Sequence, residues 1–391
     1  MDQPNISKYL SVCTKMLNWL KENDWRSYDP YDAGLSPISK LLSDRGWWVL
    51  QHITRLSPVN IRPLLYVNKQ MHPKGLAHIM QACLVLSNIE KKGDMLYRAQ
   101  QLAEKIMQLA IWDNDKCSWN YPFPYITRVL SVRSSTNIVN TSFVALALLD
   151  AYKKLQRAAY LDTALAAAKY IIDDIGYQSY PNGRICFYYA PDASQTLTIH
   201  NANFVCASLL NRLSKIHRNT EFKQLADAAT LFSLDYQRDD GLWHYSEHPR
   251  WRSIDCLHSG FILDALMSIS ASKRIEPFFN SVKNGMRGFK NFLNEDGSVS
   301  HILNRPYPKD IRSYSQFIRT ATLWSAYSPE WLRLANIAAC RAIETMFSPQ
   351  GYYYYRRYRG VTIKTPFIRW SVGPMLFALA NLVERLKANE N

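Results

Sequence analysis

Four glycines constrain what this chain can fold into. Gly183 follows Asn182, Gly241 follows Asp240, Gly297 follows Asp296 and Gly351 follows Gln350, at spacings of 58, 56 and 54 residues. Glycine after Asn or Asp marks a tight turn, because the turn needs a positive φ that glycine adopts without steric cost. A near-constant period of this length means repeated supersecondary units, none of which can bury its apolar face alone. The segment WDNDKCSWNYPFPY, from Trp112, has the same shape without the glycine.

A polar loop and then a helix poor in charge follow most of these turns: NTSFVALALLDAY from Asn140, NANFVCASLLNRL from Asn201, HSGFILDALMSI from His258 and RWSVGPMLFALANLVERL from Arg369. Helices apolar nearly all round are buried, whereas the segments after them, such as EFKQLADAATLFSL, are amphipathic and suit an outer layer. Each unit therefore reads inner helix, outer helix, β-hairpin. Inner helices are expected near 74–89, 140–154, 201–215, 258–270, 315–327 and 369–387, with an N-terminal helix near 6–22 packed outside the last. Six pairs closing head to tail make an all-α (α/α)6 toroid with short β-hairpins between helical pairs, a single domain over residues 1–391. The alternative is an open α-solenoid.

A net charge of +15 favours an anionic partner. The basic residues are scattered apart from Tyr354–Arg359, and no nucleic-acid-binding signature accompanies them, so no nucleic acid is expected. The 7 cysteines are dispersed without a CxxC, which gives neither a disulfide framework nor a metal site. No metal and no cofactor are expected. No apolar run approaches the ~20 residues that span a bilayer, and the N-terminus lacks the apolar core of a signal peptide. A cytoplasmic chain without a membrane span is expected, its oligomeric state open.

If the inner helices run parallel, the polar residues before each apolar run converge at one mouth of the toroid. Thr141 and Ser259 read as ordinary N-caps, but His200, His258, Arg319, Arg369 and Trp370 are not favoured caps. Glycoside hydrolysis uses two carboxylates about 5–5.5 or 6.5–9.5 Å apart, and the candidates are Asp29, Asp32, Glu247 and Asp255. Asp255 leads, one helical turn before His258. β-Elimination or C5-epimerisation of a uronic acid is the other chemistry, served by His200, Tyr245, His258, Arg319 and Arg369. Substrate-binding candidates are Tyr31, Trp119, Tyr121, Arg128, Asn140, His200, Asn201, Trp243, Tyr245, Trp251, Arg319, Tyr354, Arg357, Arg369 and Trp370.

The phrases SYDPYDAGLSP, KCSWNYPFPYITR, NIVNTSFVALALLDAY, DDGLWHY and WRSIDCLHSGFILDAL resemble those of one bacterial family over residues 20–385. That family, the polysaccharide biosynthesis protein VpsJ group, is typically met in exopolysaccharide and capsule clusters and resembles the six-hairpin glycosidase-like superfamily. Ala33 and Lys116 depart from its pattern, and no catalytic assignment carries over. The resemblance implies a carbohydrate-active protein of exopolysaccharide or capsule biosynthesis. It would cleave or modify an acidic poly- or oligosaccharide at the toroid mouth in a glycosidase-, lyase- or epimerase-like way. A non-catalytic glycan-binding or scaffold protein is the alternative. A terpene-cyclase-like toroid is a minor one, suggested by the Q-x3-G-x-W spacing of Gln237–Trp243 but lacking a D-x-D-D acid motif.

Overall fold

The computed structural model describes residues 6–89, 93–126, 136–191, 198–270 and 277–390. Its helices begin with α1 (Ile6–Glu22), α2 (Asp44–Leu56), α3 (Pro73–Leu86), α4 (Asp94–Gln108), α5 (Ile138–Leu155), α6 (Ala158–Tyr170) and α7 (His200–His217). They continue with α8 (Thr220–Leu234), α9 (Cys256–Ser270), α10 (Phe278–Phe289), α11 (Ile311–Trp324), α12 (Glu330–Met346) and α13 (Gly373–Glu390). Helices α3, α5, α7, α9, α11 and α13 each pack on the next, and α13 packs back on α3. That last contact closes the ring and excludes the open solenoid. Around it, α4, α6, α8, α10 and α12 each back onto the inner helix that precedes them, and α1 backs onto α13. The fold is an (α/α)6 toroid.

The division into layers follows from side-chain periodicity. Helix α3 buries every residue except Val85, and each fully buried apolar side chain contributes about 1.5–3 kcal/mol. Outer helix α4 buries one stripe, Met95, Ala99, Leu102, Ala103 and Ile106, at the i, i+4, i+7 spacing of an amphipathic helix. Helix α1 does likewise with Tyr9, Val12, Cys13, Met16, Leu17 and Leu20. The Tyr9 hydroxyl then donates to Asn336 Oδ1 on α12 at 2.6 Å.

Several inner helices start a few residues before their expected positions because their caps lie upstream. Asn137 accepts the Asn140 N–H at 2.8 Å and Asp310 accepts the Arg312 N–H at 3.0 Å. Thr141 and Ser259 are consequently not caps. Both stand inside their helices, with buried hydroxyls that lack a hydrogen-bond partner among the described residues.

All four turn glycines have positive φ, from +75° to +93°. Ladders form only in part. Strands β1 (Ile111–Asp113) and β2 (Lys116–Ser118) pair at the glycine-free unit, and β3 (Tyr177–Ser179) and β4 (Ile185–Phe187) flank Gly183. At Gly297 and Gly351 the hairpin shrinks to one bridge each. At Gly241 the turn packs on α10 instead: Leu242 and Trp243 are buried, and a Cβ on Gly241 would stand 2.1 Å from the Asn284 carbonyl oxygen. A small sheet of β5 (Lys309–Asp310), β6 (Arg356–Arg357) and β7 (Thr362–Ile363) brings Arg356 against Asp310.

Candidate active site

One cavity, of ≈ 220 Å³, is lined by the N-terminal ends of the inner helices: Lys74 of α3, Val139 of α5, Asn201 of α7, His258 of α9, Arg312 of α11 and Pro374 of α13. Leu84, Asp150, Arg212, Met267, Leu323 and Glu384, from the opposite halves of the same helices, line a second cavity. The inner helices therefore run parallel. Arg319 and Phe377 line both cavities, with the guanidinium 4.4 Å from the ring centroid. Arg319 Nε lies 3.0 Å from Asp264 Oδ2 without hydrogen-bond geometry, while Gln316 and Thr320 donate to the two Asp264 oxygens. This group is the partition between the two ends of the bore.

On the cavity wall, the sequence Ile-Asp-x-x-His builds a dyad. Asp255 Oδ1 accepts the His258 backbone N–H at 3.0 Å, and Oδ2 lies 2.6 Å from His258 Nδ1. Asp255 is thus the cap of α9 and the orienting partner of the imidazole at once. Burial opposes its ionisation, yet His258, its hydrogen bonds and His301 bring its carboxyl below the usual range. A carboxylate only accepts, so the Nδ1 proton belongs to the imidazole and the Nε2 lone pair is left as a base. The Tyr245 ring stands 4.5 Å from that imidazole, centroid to centroid. Burial raises its phenol, which therefore stays protonated and able to give a proton.

The wall is cationic and aromatic. Lys74, Arg312, Arg319 and Arg369 line it with Tyr31, Tyr121, Tyr189 and Trp370, and no Asp or Glu is found among its described lining residues. Asn201 presents a buried Oδ1 with no hydrogen-bond partner among the described residues. Arg312 is fixed by Asp310 at 2.7–2.9 Å. Its guanidinium lies 3.9 Å from the Trp370 ring centroid.

The structure gathers eight of the sequence-derived candidates around this cavity: Tyr31, Tyr121, Asn201, Tyr245, His258, Arg319, Arg369 and Trp370. Asp255 stands directly behind them. The remaining carboxylates are elsewhere. Asp29 is buried and holds Arg369 in a bidentate pair, Oδ1 to Nη2 at 2.7 Å and Oδ2 to Nε at 2.8 Å. The Arg369 guanidinium is therefore not free to clamp a ligand carboxylate by its fork, contrary to expectation. Asp32 is taken by buried Arg62 at 2.8 and 2.9 Å, and burial pushes its carboxyl up to about 6 against the pull of Arg62. Glu247 binds His200 Nε2 and Arg252, both at 3.2 Å, outside the cavity, with His200 wholly buried beside it.

Six more expected ligand contacts do not reach the cavity. Trp119 and Trp243 are buried in the core, their indole N–H groups donating to the carbonyls of Ile106 and Ser233. Asn140 is buried and donates to the Trp119 carbonyl. Trp251 and Tyr354 pack half-buried against the core. Arg357 is exposed on β6, and Arg128 lies outside the described residues. For the aromatic four the cause is that large rings near the turns serve the layer between inner and outer helices.

Sequence reasoning missed Lys74, His78, Tyr189, Arg312 and Gln316. Lys74 and His78 sit within an apolar run and resemble core residues until the ring is closed. Burial, then Arg369 and Arg319, lower the Lys74 amine well below the ordinary lysine value. Arg312 was hidden because α11 begins at Ile311 and not near 315, which moves its mouth-facing turn upstream. The signal that could have found it is Asp310, a capping residue directly before the helix.

No protein-family model matches the chain, and neither does any curated protein. Solved structures do. A GH76 α-mannanase from Bacteroides thetaiotaomicron superposes with a TM-score of 0.69 at 11% identity, over 98% of this chain and 97% of the other. Cellobiose 2-epimerase from Bacillus thermoamylovorans gives 0.61 at 12% identity, over 83% and 90%. A polysaccharide lyase gives 0.57 at 11% identity, over 82% and 91%. These likenesses bear out the (α/α)6 toroid, and at such identities they speak for the fold alone.

Proposed function

We propose that this chain is a carbohydrate-active enzyme, one domain over residues 1–391, that modifies an anionic poly- or oligosaccharide by proton abstraction. The observation that carries this reading is the composition of the cavity wall. It holds an imidazole oriented by Asp255, a protonated phenol beside it, three arginines and the Lys74 amine, without a carboxylate among its described residues. Two-carboxylate hydrolysis lacks its acid and its nucleophile there. Proton abstraction next to a sugar carboxylate has a base, an acid and the positive charge to stabilise the developing enolate.

His258 Nε2 takes the C5 proton of a uronate unit. In elimination the electron pair forms the C4–C5 double bond and the C4 glycosidic oxygen leaves with a proton from Tyr245. In epimerisation a proton returns to C5 from the opposite face and no bond to oxygen breaks. The fold neighbours include a polysaccharide lyase and a sugar epimerase, which supports this class. The VpsJ-like phrases support a place in exopolysaccharide or capsule biosynthesis, acting in the cytoplasm. No described helix is long and apolar enough to cross a membrane.

The test is incubation with oligouronates in heavy water. Elimination gives a product with a conjugated double bond and its ultraviolet absorbance, and epimerisation washes deuterium into C5 with no such absorbance. Hydrolysis of a neutral oligosaccharide such as α-1,6-mannotriose, with no action on uronates, would overturn the proposal. Tight binding of uronates without any deuterium exchange would favour the glycan-binding scaffold instead.

A further inference from the structure

The cavity contains two basic groups, Lys74 and His78, that no acid matches among the described residues. Lys74 is 8% exposed, and its Nζ makes no hydrogen bond or ion pair among the described residues. It lies 3.7 Å from the Phe143 ring centroid and 4.8 Å from that of Phe261, and the two rings meet edge to face at 4.8 Å. One turn along α3, His78 is 4% exposed, and its Nδ1 is buried without a hydrogen-bond partner among the described residues. Arg319 closes the floor from α11.

The groups facing Lys74 are Arg369 from the segment before α13, Arg319 from α11, and His72 and His78 from α3. The nearby carboxylates are committed, Asp29 to Arg369 and Asp264 to Gln316, Thr320 and Arg319. A buried amine that no carboxylate neutralises is costly to charge. Such a group is stable as the free amine and becomes an ammonium when an anion arrives.

We propose that Lys74, His78 and Arg319 form a subsite for a ring oxyanion of the bound sugar, a carboxylate or a sulfate, and that its binding draws one proton from solvent onto Lys74. This rests on the reading of the cavity as an anionic-glycan site but makes a separate claim about where the charge goes. The aromatic pair beneath the amine stabilises the ammonium once formed through the negative faces of its rings. In the empty protein the same rings favour the neutral form by excluding water.

The experiment labels the full-length protein with a limiting amount of acetic anhydride and reads each lysine by peptide mass spectrometry. Lys74 should acetylate at neutral pH faster than exposed Lys40. Inorganic sulfate or an oligogalacturonate at ten times its dissociation constant should slow Lys74 about tenfold by mass action, and the carboxyl-reduced oligomer should not. Protection by only one of the two anions tells carboxylate from sulfate. Calorimetry in buffers of different ionisation heat should find proton uptake with the oligogalacturonate. That uptake should vanish in Lys74→Arg with binding kept, while Lys74→Met should bind about tenfold more weakly.

Lys74 labelling that ignores both anions, or a Lys74→Met protein that binds oligogalacturonate as tightly as wild type, overturns the subsite and leaves the proton-abstraction reading standing. The converse is equally distinct. Sulfate protection of Lys74 with no turnover of any uronate keeps the anion site and removes the proposed reaction.

Discussion

Asp255→Asn separates chemistry from architecture more sharply than any other change. The asparagine keeps the shape, and its Oδ1 still accepts the His258 amide, so the cap survives; Asn caps about as well as Asp. What disappears is the Oδ2 to Nδ1 bond at 2.6 Å, a hydrogen bond to an ionised acceptor worth about 1.5–3 kcal/mol. With an unfolding entropy of roughly 2.1 cal/mol/K for each of the 391 residues, the melting temperature falls only about 2–4 °C. Activity falls much further. The new amide donates to Nδ1, the imidazole proton moves to Nε2, and the base is lost. An equivalent tautomer change in acyl-transfer triads costs about 10⁴ in rate. The assays are thermal melting, deuterium exchange at C5 of an oligouronate, and the ¹⁵N spectrum of His258, which reports the tautomer without any substrate. A variant that melts early but exchanges deuterium at the wild-type rate would show that Asp255 is only a cap, and the reasoning would be wrong.

Two further changes test the frame around the site. Asp310 is wholly buried between Arg312 and Arg356, and although burial opposes ionisation the two arginines hold its carboxyl well below the usual range. Its contribution is therefore present above the unfolded value of about 4 and lost as pH falls below it. Asp310→Asn should cost about 3–5 kcal/mol at neutral pH, with the gap narrowing in acid, as read by denaturant titration across pH. Gly241→Ala and Gly183→Ala share a positive φ, but only the first adds a backbone clash. Gly183→Ala should cost about 1–2 kcal/mol for the left-handed backbone, and Gly241→Ala distinctly more; equal melting temperatures would refute the packing of that turn on α10.

Much of the fold could be read from the sequence because its signal is periodic. Glycines at 183, 241, 297 and 351 mark turns whose φ is positive in every case, and α1 occupies the expected span against α13. The site was less legible because it is assembled across the ring. His258 stood out as a polar residue at the edge of an apolar helix, and Tyr245 as part of the polar stretch before it. Trp119 and Trp243 carried the same aromatic signal yet face the core, since sequence alone does not say toward which layer a ring turns. The carboxylates misled for a related reason. Asp29 and Asp32 look catalytic until Arg369, 340 residues away, and Arg62 are seen to hold them. Lys74 had no local signal, and its meaning comes from Phe143, Phe261 and Arg319 on other helices.

The seating of α1 on α13 has a consequence for how the chain comes into being. Helix α1 leaves the ribosome long before its partner α13, and Tyr9 anchors to Asn336 across 327 positions. At roughly 5–20 residues per second, synthesis of the intervening ~350 residues takes on the order of twenty to seventy seconds. Throughout that interval the apolar stripe from Tyr9 to Leu20 has nowhere native to go. The ring can stack its hairpins progressively, but its seam must be sealed last, and α1 is the helix of this ring that most needs a chaperone.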